Sequence, residues 1–312
     1  MRNSRSSLPF LACVLLGACA LSFSSTALAQ DDGYVLFLDE YLAGDYYYAR
    51  LSDLDGDNPP QIYPRKLRLP RKFRRNVEIG NADVSADGST IVFAARKTSD
   101  YNWDIYYGSI DLRRSRIRNV GLLVGAAGRD EDPRFSWQGT SIVYKCDGNI
   151  CIYPAIHPNP IVISWCELWA PSFALSGYGV SFTKRCGDGD SDRIWQYDLL
   201  TGKETPIPNE GDGADRFAHF MDDGTLVYSH IDKDTGTSSL WVHGAGYASL
   251  LHDRTRSDDD PFPDKRDRNH IAFIGWDDNG ANYDLYVYRR SRGDSVKLSD
   301  NISVLAPVLF RR

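Results

Sequence analysis

The sequence predicts an all-β fold, a six-bladed β-propeller, on three observations. Helical periodicity is nearly absent, and short alternating strands are punctuated by Gly, Asp, Asn and Pro. A pair of aromatic-bearing strands recurs six times along the chain. The two ends of the chain carry complementary parts of one repeat.

The first strand of each pair reads Val35-Leu36-Phe37, Ile91-Val92-Phe93, Ile142-Val143-Tyr144, Val180-Ser181-Phe182, Leu226-Val227-Tyr228 and Ile271-Ala272-Phe273. By subtraction, the aromatic positions lie 56, 51, 38, 46 and 45 residues apart. The second strand reads Asp45-Tyr46-Tyr47, Asp104-Ile105-Tyr106, Asn149-Ile150-Cys151, Arg193-Ile194-Trp195, Ser239-Leu240-Trp241 and Asp284-Leu285-Tyr286. A period near 45 with several strands per unit marks propeller blades, which bury their faces only by stacking on their neighbours.

An inner strand precedes each pair after the first. It is clearest in Asp132-Pro133-Arg134-Phe135-Ser136-Trp137-Gln138-Gly139 and in Ala82-Asp83-Val84-Ser85-Ala86-Asp87-Gly88. Weaker copies start at Ala170, Phe220 and Asp260. The pattern predicts a strand entered through a Pro-restricted residue and left through an Asp-Gly type turn. The first unit, from Gly33, has no inner strand before it, whereas Ser303–Phe310 reads as an inner strand with nothing after it. Joining the two completes the sixth blade and removes an open sheet edge.

These units resemble the WD40-like (PD40) repeats of the TolB family: acidic-x-x-Pro-x-aromatic-Ser-x-Asp-Gly, then an apolar-aromatic strand. The resemblance covers about residues 33–312. It implies the propeller fold and, at the end where the inner strands begin, protein docking. TolB proper places an α/β domain before its propeller, and here the repeats begin almost directly after the leader, so the expectation is a propeller-only relative.

Residues 1–29 read as an export signal: Arg2 and Arg5, an apolar run from Leu8 to Phe23, then Ala27-Leu28-Ala29 before Gln30. Residues 30–312 then form one propeller domain. Leu16-Gly17-Ala18-Cys19 resembles a lipobox, and cleavage before Cys19 would leave a membrane-anchored lipoprotein. The preferred reading is cleavage after Ala29 and a periplasmic, monomeric protein. No later stretch is long and apolar enough to span a membrane.

Four cysteines follow the leader: Cys146, Cys151, Cys166 and Cys186. An even number in an exported chain predicts disulfides, with three connectivities open. Strand placement favours 146–151, which flanks a turn between the second and third strands of blade three. It pairs 166 with 186 at one end of blade four. A zinc site is disfavoured, because Cys166 and Cys186 form no second close pair.

The loops entering the inner strands share one mouth of the channel, and several are acidic. The candidate partner-binding residues are Asp130, Glu131, Asp132, Glu167, Asp212, Asp215, Asp258, Asp259, Asp260 and Asp300, with Trp165 and Trp169 as aromatic anchors. The competing reading is that these Asp residues cap turns and the Trp residues pack between blades. A basic run, Arg65, Lys66, Arg68, Arg71, Lys72, Arg74 and Arg75, suits an outer strand with a solvated face. Asp53–Asp57 and Asp188–Asp192 resemble calcium loops without the Gly and Glu of an EF-hand, and read as turns.

Composition narrows the function. The chain of 312 residues is 42% hydrophobic, enough for a large core, and a net charge of −6 gives no signature of nucleic-acid binding. No Gly-x-Ser-x-Gly elbow, His-Glu-x-x-His helix or phosphate loop appears. His219 falls on an inner strand near the channel and reads as a structural histidine. The expectation is a non-enzymatic scaffold with no cofactor and no metal, docking an envelope protein or peptide at the acidic mouth. The alternative is a carbohydrate-active or metal-dependent enzyme, of the polysaccharide-lyase propeller kind, using channel residues.

Overall fold

Alternating apolar strands separated by tight turns build six small antiparallel sheets in the computed structural model. It describes residues 33–39, 45–51, 64–73, 76–125, 127–154, 166–187, 191–208, 211–244, 246–253, 257–276, 283–299 and 304–312. The leader, Cys19 and the candidate residues Trp165 and Asp300 lie outside the described residues.

The chain opens with β1 (Gly33–Asp39), β2 (Asp45–Arg50) and β3 (Arg65–Leu67). Blade two is β4 (Val77–Val84), β5 (Thr90–Lys97), β6 (Asp104–Asp111) and β7 (Arg116–Val124). Blade three is β8 (Asp130–Phe135), β9 (Ile142–Cys146) and β10 (Asn149–Tyr153). Blade four is β11 (Glu167–Phe173), β12 (Gly179–Arg185), β13 (Arg193–Asp198) and β14 (Glu204–Pro206). Blade five is β15 (Gly213–Phe220), β16 (Leu226–Asp232), β17 (Ser238–Gly244) and β18 (Tyr247–His252). Blade six is β19 (Asp258–Asp264), β20 (Asp267–Trp276), β21 (Tyr283–Arg289) and β22 (Asp294–Lys297). The last strand, β23 (Val304–Arg311), pairs antiparallel with β1, so blade one runs β23-β1-β2-β3. The expected closure by both ends of the chain is therefore present.

The repeated aromatic is the core of each blade. Phe37, Phe93, Phe182, Tyr228 and Phe273 are at most 1% exposed, and Tyr144 is also buried. Each such ring stabilises the fold by about 1.5–3 kcal/mol through burial. Between blades one and two, Leu36, Tyr46, Leu67, Phe73 and Phe93 share one cluster, and the Tyr46 hydroxyl donates to the Gly80 carbonyl at 2.7 Å.

The inner strands differ from expectation in one respect. Proline does not stand at their entrance but in their middle, at a β-bulge. Register breaks between Ile79 and Ala82, Glu131 and Arg134, Trp169 and Ser172, Arg216 and His219, and Asp259 and Phe262. Five inner strands place a left-handed residue there: Asp132, Ala170, Phe217, Asp260 and Ala306, with φ of 47–54°. Four of these precede Pro133, Pro171, Pro261 and Pro307. The inner strand is the channel-side edge of its sheet, so a residue without an N–H is tolerated there.

Blades are tied together on the face where the inner strands begin. The Asp130 N–H donates to the Trp103 carbonyl (3.0 Å), Leu168 to Gly148 (2.9 Å) and Asp215 to Asp192 (2.9 Å), each from one blade to the next. Both disulfides lie on this face: Cys146–Cys151 with Cα atoms 5.9 Å apart, and Cys166–Cys186 at 4.1 Å. At the opposite end Arg311 of β23 binds Asp264 (3.0 Å) and Asp267, and Arg312 donates to the Ile110 carbonyl at 2.8 Å. The closing strand is thereby latched to blades six and two.

Deleting residues 303–312 is expected to abolish the cooperative thermal transition; a truncated protein melting at the full-length temperature would show that closure is dispensable. For the disulfides, the spans of 20 and 5 residues predict losses of about 3 and about 2 kcal/mol. Denaturant titration of the Cys166→Ser/Cys186→Ser and Cys146→Ser/Cys151→Ser proteins checks that order.

Candidate functional site

The bulges fix what faces the channel. Two residues beyond each one, six register-equivalent positions lie opposite Val92, Val143, Ser181, Val227, Ala272 and Leu36. They hold Asp83, Arg134, Ser172, His219, Phe262 and Val308, all buried. The first five line a cavity of about 20 Å3, together with Phe135, Trp137, Phe173, Phe220, Pro263 and Lys265. Those added residues lie at the turns leaving the inner strands, so this cavity occupies the turn-face half of the channel. The predicted mouth is at the other end.

The cavity is lined by charged groups. The Asp83 carboxylate accepts the Val84 and Phe135 N–H groups, both at 2.7 Å, and Lys265 Nζ at 2.5 Å. Lys265 also donates to the Val84 carbonyl at 3.1 Å. Burial pulls the Lys265 pKa down, and the Asp83 charge opposes that pull. Arg134 donates to the Ala82 carbonyl (3.0 Å) and its guanidinium lies 5.3 Å from the Phe262 ring centre. His219 packs 4.8 Å from the same ring. Burial, then the charges of Arg134 and Lys265, hold its pKa well below the ordinary value, so the imidazole is neutral. Arg134 Nε and His219 Nε2 are buried with no hydrogen-bond partner among the described residues.

Toward the loop face lie Asp132 and Asp260, on blades three and six. Asn81 Nδ2 donates to Asp132 Oδ1 at 2.5 Å. Burial pushes the Asp260 carboxyl up to about 7; Arg134 opposes this, and the charges of Asp259 and Asp132 reinforce it. Burial also raises Asp259.

The other predicted acids are spread differently. Asp130, Asp215 and Asp258 are buried within the fold, at 4%, 1% and 0% exposure. Asp215 meets His230 Nδ1 at 2.7 Å. Glu131 pairs with Arg129 at 2.8 Å and Glu167 with Lys145 at 2.9 Å. Asp212 is exposed, 3.8 Å from Lys233. Trp169 is half-buried with the Arg185 guanidinium 5.2 Å from its ring centre. Asp192, buried, binds Arg185 at 2.6 Å and also Arg216. The loop face thus interleaves acids with Arg and Lys, and Asp132, Asp259 and Asp260 stand among its acids. Asp53–Asp57 and 188–190 lie outside the described residues. Among the described residues no three His, Cys, Asp or Glu side chains form a metal-holding group.

The residues missed from the sequence are Asp83, Arg134 and Lys265. The available signal was register: aligning the repeats on the turn glycines Gly88, Gly139 and Gly224 puts Asp83, Arg134 and His219 at one equivalent inner-strand position, five residues before each.

No protein-family model matches the chain, and no curated protein matches it by sequence. Solved structures do match in fold. TolB from Acinetobacter baumannii superposes with a TM-score of 0.64 at 16% identity, over 89% of this chain and 66% of that one. A chain of a nidogen–laminin complex gives 0.63 at 7% identity, over 89% and 98%. Hydrazine synthase from Kuenenia stuttgartiensis gives 0.61 at 12% identity, over 90% and 46%. This chain is a six-bladed propeller with the fold that these structures, TolB among them, share; at these identities the likeness is one of fold, which hosts unrelated activities.

The Asp260 environment yields a pH test. A carboxyl raised in the folded state contributes stability that is full below its unfolded pKa and lost as pH rises through the folded one, here about 7. Asp260→Asn should therefore raise Tm relative to the parent protein more at pH 8.5 than at pH 5. The expected difference is at least about 3 °C, roughly 1 kcal/mol in a domain of this size. Parallel melts at the two pH values check it.

Proposed function

We propose that this chain is an exported envelope scaffold that docks a protein partner on the loop face of its propeller. The observation that carries the reading is the pair Asp132 and Asp260. Left-handed bulges on opposite blades bear both toward the loop face, Asp132 half-buried and Asp260 buried. A β-bulge fixes side-chain direction without help from the partner, so little ordering cost falls on binding. The disulfides and blade-to-blade backbone bonds of that face add rigidity. The export-like leader and paired cysteines support a periplasmic location, and the TolB-like fold supports a docking role.

The chemistry suits a Lys or Arg side chain on an extended partner segment. Asp260 is costly to ionise in its buried setting, and an incoming cation offsets that cost. Binding is therefore stronger where the carboxyl is ionised, above about pH 7. The surrounding Arg–acid pairs exclude a partner with a broad basic face and favour one that presents a single cation to the mouth.

In-cell crosslinking of the tagged full chain, followed by mass spectrometry, tests this. One dominant envelope protein is expected, its recovery reduced at least tenfold by combined Asp132→Asn and Asp260→Asn substitution. With the purified pair, affinity is expected to fall as pH drops from 8 to 6. A partner retained by the variant would place docking elsewhere.

A further inference from the structure

The opposite half of the channel has chemistry that docking at the loop face does not use. Its walls are aromatic: Phe135, Phe173, Phe220 and Phe262. Its lining carries two cations and one carboxylate, with Asp260 near Arg134 and Asp264 near Lys265 just beyond it. Arg134 and Lys265 are both cationic, while Asp83 is the one carboxylate lining the cavity and is already engaged by three donors. His219, 4% exposed and neutral, brings no charge. A buried guanidinium with an unused N–H carries a desolvation penalty that an anion would relieve.

The geometry points to a binding site for a single carboxylate group, entering from the turn face with its apolar attachment on that side. Among the residues lining the cavity, Arg134 Nε–H and, in its Nε2–H tautomer, His219 are the two unused buried donors. The Ser172 hydroxyl accepts the Phe220 N–H at 3.5 Å, leaving its own hydrogen to donate. Lys265 supplies positive charge from the turn that closes β19 onto β20. Two or three donors suit a planar monoanion, and a cavity of about 20 Å3, little more than one water needs, admits the carboxylate head alone, so its apolar attachment lies outside the cavity toward the turn face; a phosphate group needs more donors and more room. Burial keeps His219 neutral, so the site works at neutral pH without a protonated imidazole. The carboxylate can belong to a small organic acid or to the free end of a peptide. The site uses donors other than the loop-face acids, although Arg134 also feels the Asp260 charge; following His219 and the carboxylate reads the two proposals separately.

The test uses the full chain and follows the His219 imidazole in nitrogen–proton correlation spectra while 3-phenylpropanoate is added. A saturable shift of the His219 signal is expected, with 3-phenylpropanamide binding at least tenfold more weakly. Chloride at matched ionic strength should give no saturable shift. Arg134→Gln should weaken the carboxylate at least tenfold and Ser172→Ala about threefold, the second guarding against a misfolded first. An acetylated tetrapeptide ending in Phe, compared free and amidated at its carboxyl end, distinguishes a peptide terminus from a small acid. Equal binding of acid and amide, an equal response to chloride, or shifts confined to the loop face would each overturn the assignment.

Discussion

Every other feature depends on the pairing of β23 with β1. A propeller blade has two large faces and cannot cover either alone, so the ring is stable only when it is closed. Here closure is made by backbone hydrogen bonds between the two ends of the chain. It is reinforced by Arg311 on Asp264 and Asp267 and by Arg312 on the Ile110 carbonyl. The same strand contributes Val308 to the channel ring and Val304 and Leu309 to the core against blade six. The packing of blades one, two and six and the shape of the channel are thus one problem, solved at one seam.

The inner-strand bulge connects fold to function. A left-handed backbone costs an ordinary L-residue about 1–2 kcal/mol, and five inner strands bear it. The return is geometric. The bulge re-aims the chain so that residues before it face the loop side and the residue two beyond it faces the channel axis. Proline after the bulge removes an N–H that has no ladder partner, and disfavours a right-handed helical turn in the residue it follows.

Much of the fold was legible in the sequence because its signals are local. An aromatic ending an apolar strand, such as Phe93 or Phe273, announces burial wherever it recurs, and turns such as Asp87-Gly88 announce the reversal. Closure was legible because an incomplete first unit and an orphan last strand have one economical solution. The site was much less so. Asp130, Asp215 and Asp258 look like solvated loop acids, and only register shows them drawn into the fold. Arg129, Arg185 and Arg216, which neutralise the loop face, lie far in sequence from some of the acids they meet. The buried set of Asp83, Arg134 and Lys265 comes from three different blades, and no spacing in one chain segment announces it. His219 was placed near the channel correctly, but a buried nitrogen without a partner is a property of its surroundings, not of its position in the chain.

A ring of six like blades has approximate rotational symmetry about its axis, and anything bound on that axis would ordinarily meet six similar poses. The channel positions of this protein carry acid, guanidinium, hydroxyl, imidazole, phenyl and isopropyl groups in turn. The backbone repeats and the side chains do not. A ligand on the axis therefore finds one orientation in six, and the degeneracy that the architecture creates is lifted without any departure from the fold.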